Sequence, residues 1–161
     1  MQKVIVIGCP GSGKSTFSAA LHKKTALPLY HLDMLYWNAD KTVVDRSVFL
    51  DRLNKALSEN TWIIDGNYIS TLDLRLKFCD TVVFLDYPLS VCLSGVEARK
   101  GKARSDTPWV ESETDAEFIE FIKNFENDTR PTVLETINKY HDKDIYIFKT
   151  RDEADNFLNS L

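Results

Sequence analysis

The sequence predicts a single α/β domain, a three-layer sandwich with a five-stranded parallel sheet between two layers of helices. Three observations carry that expectation. Five short apolar runs, at 3–7, 27–32, 61–64, 81–85 and 144–148, alternate with helical patterns. Most of these runs are apolar throughout, which is the signature of strands buried on both faces. The first run leads directly into a glycine-rich turn and then a helix. In such a sheet the ligand lies beyond the carboxyl ends of the strands, so functional residues are sought just after each run. A chain of 161 residues suits one domain with one sizeable core, here taken as 1–161.

The turn after the first strand reads Gly8-Cys9-Pro10-Gly11-Ser12-Gly13-Lys14-Ser15. The spacing is G-x-x-x-x-G-K-[ST], the P-loop pattern, in its expected strand-to-helix context. Gly8, Gly11 and Gly13 allow a turn that aims successive N–H groups inward as an anion nest. A helix over 15–24 then turns its positive end toward the phosphates. Lys14 is expected on the β- and γ-phosphates, and the Ser15 hydroxyl on Mg²⁺. Pro10, Ser12 and Thr16 complete the expected ATP-binding stretch. Cys9 sits at a variable position and reads as filler rather than as a redox thiol.

The second strand ends in "HLDMLYW", positions 31–37. Asp33 lies where a phosphate acceptor would meet the γ-phosphate, to take its hydroxyl proton or orient it; a turn cap is the plain alternative. Tyr36 and Trp37 suit stacking on a substrate ring or packing in a lid. Asp45 is placed to cap a helix carrying Phe49, Leu53 and Leu57 on one face. The segment from about 33 to 60 is therefore the expected acceptor-binding region, with Arg46 and Arg52 where an acceptor-binding arginine would stand. The third strand ends in "IIDGNY", positions 63–68. Asp65 stands like a Walker-B acid, suited to hold Mg²⁺ through water, and Gly66 lets backbone approach a ligand. Asp-Gly-Asn is also a good turn sequence. A short helix over 70–78 follows.

The fourth strand runs through "LDYP" into a helix capped by Ser90 and continuing past Val96 to Arg99. Arg99, Lys100, Lys102 and Arg104 then place four cations in six residues, split by Gly101. That reads as a lid over triphosphate, about 99–112, although a solvated basic face shows the same run. Thr114 and Glu117 form a capping box, with Phe118, Phe121, Ile122 and Phe125 on one stripe behind it. Pro131 is expected to kink this helix or start another carrying Val133, Ile137 and Tyr140. Arg130 is expected to swing onto the transferring group from the far side of the lid. After the fifth strand, Thr150 and Arg151 border the expected adenine position, before a last helix over 152–158.

Composition narrows the function classes. A net charge of −4 does not advertise nucleic-acid binding. The cysteines Cys9, Cys79 and Cys92 give no disulfide framework, so a reduced, cytoplasmic protein is expected. The N-terminus enters a strand without a signal-type leader, and no segment reaches the length of a membrane span. His22, His31 and His141 are scattered, which argues against a zinc site.

The motifs "GCPGSGKST", "HLDMLYW", "WIIDGNY", "LRLKFCDTVVFLDYP" and "RKGKARSD" together give a resemblance. The chain resembles the adenylate-kinase-like P-loop kinases and, more closely, the bacterial DNA topology modulation proteins, from residue 3 to about 106. The resemblance implies a nucleoside-monophosphate-kinase-like P-loop NTPase fold, ATP with Mg²⁺, a lid, and an acceptor site between strands 2 and 3. One departure stands out: Asp65-Gly66-Asn67-Tyr68 lacks the monophosphate-gripping arginine usual after that strand in adenylate kinases, for which Arg75 is a substitute candidate. The expected activity is γ-phosphoryl transfer to a nucleotide or other small acceptor, by a monomer or homodimer. The alternative is an ATP-binding regulator of DNA topology without acceptor phosphorylation. No helix-turn-helix or zinc-finger signature supports direct duplex binding, and no Asn-Lys-x-Asp supports a GTPase.

Overall fold

The structure is a computed structural model that describes residues 1–112 and 115–161. Five strands form one sheet in the order β2-β3-β1-β4-β5, every neighbouring pair parallel. They are β1 (Lys3–Gly8), β2 (Leu29–His31), β3 (Trp62–Asp65), β4 (Thr81–Leu85) and β5 (Asp144–Phe148). Among the described residues eight α-helices surround them: α1 (Lys14–Thr25), α2 (Leu32–Tyr36), α3 (Arg46–Ser58), α4 (Leu72–Phe78), α5 (Leu89–Arg99), α6 (Ala116–Asp128), α7 (Arg130–Ile137) and α8 (Arg151–Ser160).

The three layers follow from the two-residue period of β1. Val4 and Val6 face one way, into a cluster with Phe17 and Leu21 of α1 and Ala154 and Leu158 of α8. Ile5 and Ile7 face the other way, into a larger cluster with α3, α4, α5, α6 and α7. The central strands β1, β3 and β4 are therefore buried on both faces almost without a break. The edge strands are not: β2 has only half-buried residues, and Tyr146 and Ile147 of β5 are exposed. An edge strand meets solvent along its outer side, so the expectation of two buried faces is corrected for these two.

Several local expectations are also corrected. The second strand, expected over 27–32, is the shorter β2 and gives way at Leu32 to the short helix α2. Asp45 stands at the N-cap of α3 without a side-chain capping bond, and Ser90 lies inside the first turn of α5, after Pro88. Thr114 of the expected capping box lies outside the described residues. The observed cap of α6 is Asp115, whose carboxylate accepts from the Glu117 N–H at 3.0 Å. Phe121 is 43% exposed, while Ile122 and Phe125 are buried. Pro131 sits in the first turn of α7, where its missing N–H removes no helical bond. Tyr140 lies beyond that helix and donates its hydroxyl to Asp73 at 2.8 Å. No helix of the described residues is long and apolar enough to cross a membrane.

Strand register positions the site. Gly8 lies beside Leu85, and Asp65 lies between Val6 and His31. The P-loop, the end of β3 and the start of α2 therefore emerge together at one edge of the sheet.

Candidate active site at the carboxyl edge of the sheet

The loop after β1 is held by backbone packing. Gly11 has φ 83° and Gly13 has φ 92°, conformations that favour glycine. A Cβ on Gly11 would lie 2.0 Å from the Cys92 carbonyl oxygen, and one on Gly95 would lie 2.0 Å from the Gly11 carbonyl oxygen. The loop thus lies directly against α5 with no side chain between them. The Gly8 N–H donates to Asn67 Oδ1 at 3.1 Å, tying the loop to the turn after β3. Lys14 Nζ donates to the carbonyls of Gly8, at 2.9 Å, and Cys9, at 3.2 Å. Burial pushes the Lys14 pKa below its ordinary value, against the pull of Asp65 and Asp33. The charge is thus desolvated and poorly shared, which strengthens its attraction for an incoming anion.

Opposite the loop, Asp33 Oδ1 accepts a hydrogen bond from the Tyr68 hydroxyl at 2.6 Å. Burial raises the Asp33 pKa; the Tyr68 bond and the Lys14 charge oppose this without cancelling it. Tyr68 itself has φ 33°, a strained value for a bulky residue. Arg75 over-determines that turn: its guanidinium donates to the carbonyls of Gly66 at 3.0 Å, Tyr68 at 3.3 Å, and Asn67. Asp65 is buried and pairs with His31 Nδ1 at 2.9 Å. Burial alone would lower the His31 pKa, but the hydrogen bond and charge of Asp65 outweigh it, and the value is raised.

The segment after α5 closes over both. Gly101 has φ 70°, and its N–H donates to the Glu111 carbonyl at 2.7 Å. Arg104 grips Asp106 with both arms of its fork, at 2.8 and 2.7 Å. The Ser15 hydroxyl also donates to Asp106. Burial would raise the Asp106 pKa, but Arg104 and Ser15 outweigh it and hold the value at about 2. Arg99 Nε bonds Glu111 at 2.8 Å, and its guanidinium stacks 5.5 Å from the Phe118 ring centre. Trp109 meets Trp37 edge-on, with ring centres 5.0 Å apart.

A cleft of about 1110 Å³ runs between these parts. Of the residues expected from sequence, Pro10, Gly11, Ser12, Gly13, Lys14, Ser15, Thr16, Asp33, Trp37, Asp65, Gly66, Arg99, Arg104 and Arg151 all line it. Gly8 lies just beneath, at the end of β1. Three expectations are corrected. Arg75 is fully buried and bonded to backbone carbonyls, so it is a scaffold residue rather than an acceptor-binding one. Arg46 is exposed at the start of α3 and does not line the cleft. Arg130 pairs with Asp86 at 2.8 Å and lines a separate cavity of about 340 Å³, which Cys9 of the loop also borders, rather than the cleft that Lys14 and Asp33 line.

Sequence reading passed over Tyr68, His31, Trp109 and Asp106. Asp106 had a usable signal, since it stands two residues after Arg104 in a basic run where a lone carboxylate is unexpected. The others had none, because their roles depend on partners more than thirty residues away.

No protein-family model matches the chain, and no curated protein matches it. Solved structures do. The chain is similar to shikimate kinase from Bacteroides thetaiotaomicron, at 18% identity and TM-score 0.62, over 98% of this chain and 94% of that one. It is similar to shikimate kinase from Acinetobacter baumannii in complex with shikimate, at 18% identity and TM-score 0.62, over 99% and 93%. A sugar kinase from Janibacter sp. HTCC2649 matches at 14% identity and TM-score 0.55, over 99% and 91%. With the strand order and the glycine loop, these likenesses establish the fold, a P-loop NTPase three-layer sandwich.

Proposed function

We propose that this chain is a kinase that uses ATP with Mg²⁺ and transfers the γ-phosphoryl group to a nucleotide or other small acceptor. The observation that carries this reading is a single cleft with Lys14 and Ser15 on one wall and the Asp33–Tyr68 pair on the other. A nucleotide-binding regulator needs the first wall only.

The residues fit the groups they would hold. The nest at Gly11 and Gly13, open at the α1 N-terminus, suits a polyphosphate. Ser15, Asp65 and Asp106 offer the hard oxygen donors that Mg²⁺ prefers, directly or through water. The metal, when bound, supplies neutralisation of phosphate-oxygen charge. Lys14 exchanges its two carbonyl partners for phosphate oxygens. Arg104 and Arg99 sit on the lid segment, where closure excludes water and brings guanidinium charge onto the transferring group. Arg151, at the start of α8, borders the base. Asp33 orients the acceptor hydroxyl and takes its proton, and burial keeps its pKa high enough to make it a better base than a free aspartate. Tyr68 fixes the Asp33 carboxylate, while Trp37 and Gly66 border the acceptor.

The finer resemblance to bacterial DNA topology modulation proteins rests on the sequence motifs. The test is a panel of nucleotides and small alcohols assayed for acceptor-dependent ADP release, beside ATP titration. An acceptor that raises ADP release well above the ATP-alone rate is the expected result. ATP binding with no acceptor response, together with salt-sensitive DNA binding, would replace this reading with the regulator.

A further inference from the structure

The acceptor wall of the cleft carries a charge pattern that narrows the substrate class. Two carboxylates there already have cationic or charge-sharing partners: Asp65 pairs with His31, and Asp106 is gripped by Arg104. Among the described residues, Asp33 has only the neutral Tyr68 hydroxyl as its side-chain hydrogen-bond donor. The arginines that an anionic acceptor would require are held elsewhere. Arg75 is buried under backbone carbonyls, Arg52 donates to the Leu35 carbonyl at 3.0 Å, and Arg46 lies outside the cleft. The cations that do line the cleft are Lys14 in the loop, Arg99, Lys102 and Arg104 on the lid segment, and Arg151 on α8. Beside Asp33 stands an aromatic surface instead, Trp37 with Trp109 edge-on against it.

Accepting the kinase reading above, we propose that the acceptor is an uncharged, ring-shaped polyol, a free sugar or a nucleoside, rather than a phosphate monoester or a hydroxy acid. An anion placed next to Asp33 would meet like charge in a partly desolvated cleft, where the Arg104 fork, whose charge reaches Asp33, is already taken by Asp106. A neutral ring presents a hydroxyl to Asp33 and an apolar face to Trp37. In the transfer, the acceptor oxygen forms its bond to the γ-phosphorus, the bond from that phosphorus to the β,γ-bridging oxygen breaks, and ADP leaves. The hydroxyl proton passes to Asp33 and then to solvent.

The experiment measures ADP release with four groups of acceptor: free sugars, nucleosides, nucleoside monophosphates, and hydroxy acids including shikimate. The expected result is kcat/KM at least about a hundredfold higher for the best neutral acceptor than for its phosphorylated or carboxylated counterpart. The sugar and nucleoside arms separate the two sources of the same chemistry. Equal or better turnover with a monophosphate or hydroxy acid overturns the proposal and leaves the kinase reading standing. No response in any arm, with ATP binding intact, overturns both. A second measurement addresses the platform. Trp37→Leu keeps apolar bulk but loses the ring face, and should raise the acceptor KM about tenfold with kcat and the ATP KM unmoved. Trp37→Phe should restore most of it. An unchanged acceptor KM in Trp37→Leu overturns the role of Trp37.

Discussion

The two ends of the cleft are built on different principles. At the end proposed for the nucleotide, eight consecutive residues supply nearly everything: backbone N–H groups, two left-handed glycines and a lysine. At the end proposed for the acceptor, Asp33, Asp65, Tyr68 and Asp106 come from three separate segments, the start of α2, the turn after β3 and the segment after α5, and each is held by a side-chain hydrogen bond. The first end is stiff because the loop backbone touches α5 at Gly11 and Gly95, leaving no room for a methyl group. The second is held by hydrogen bonds that substitution can remove one at a time. A binding function common to many proteins sits on local backbone, and selectivity sits on assembled side chains.

The sharpest way to separate the ends is to disable the first alone. Lys14→Ala removes the lysine that bonds the Gly8 and Cys9 carbonyls of the loop and leaves the loop glycines in place. ATP titration should show a loss of affinity of about a hundredfold or more and no measurable turnover. The thermal melt should stay close to wild type, because a desolvated charge has been removed rather than a core contact. Wild-type ATP affinity would refute the assignment of the loop.

Disabling the second end should give the reverse pattern. Asp33→Asn preserves the Tyr68 hydrogen bond but ends proton acceptance. Acceptor-dependent transfer should fall about 10²–10⁴-fold, with ATP affinity nearly unchanged. In the wild type, transfer should weaken as pH falls through the raised Asp33 pKa and protonates the base. Wild-type turnover in Asp33→Asn would leave Asp33 as a positional cap.

This contrast also explains what the sequence could disclose. The P-loop, the alternation of runs and helices, and Asp33 and Asp65 at strand ends are all local or positional signals, and the structure brings them to one cleft. Arg75 was misread because a helical arginine near a missing motif residue looks available in one dimension. Its burial is decided by the turn of β3 folding back over α4. Arg130 was misread because nothing local reveals Asp86, forty-four residues earlier, as its partner. Edge exposure of β2 and β5 is a property of strand order, which no run of apolar residues encodes.

Arg75 itself offers the next test, smaller than either end's loss of function but large for a fold. Arg75→Met keeps most of the volume and leaves the Gly66, Asn67 and Tyr68 carbonyls without their shared donor. Breaking a buried, hydrogen-bonded charge costs about 3–5 kcal/mol, lessened here because carbonyls rather than a counter-charge are left behind. Chemical denaturation should show a loss of about 2–4 kcal/mol, and the acceptor KM should rise as Tyr68 relaxes from its left-handed turn. A stable variant with a specifically altered acceptor affinity would return Arg75 to the binding site.

The smallest expected effect compares two carboxylates that share the acceptor wall and are shifted in opposite directions. Asp106 is held at about 2, so its ionised form stabilises the fold. That contribution is complete above the ordinary aspartate value of about 4 and is lost as pH falls toward about 2. Asp33 is raised, so at neutral pH its charge is a cost to the fold, relieved as pH falls through the raised value. The two asparagine variants should therefore move stability at pH 7 with opposite signs. Asp106→Asn leaves the Arg104 fork and the Ser15 hydroxyl without their anion and should lower Tm. Asp33→Asn removes a buried charge while Tyr68 keeps an oxygen to donate to, and should raise it. An effect on the order of 1 kcal/mol each corresponds to roughly 2–4 °C at this chain length. Melts at pH 7 and pH 3 decide the matter: the Asp106→Asn deficit should shrink in acid as the wild-type carboxylate begins to protonate. Shifts of the same sign in both variants would mean that the wall tolerates charge uniformly, and that Asp33 is not set apart from its neighbours.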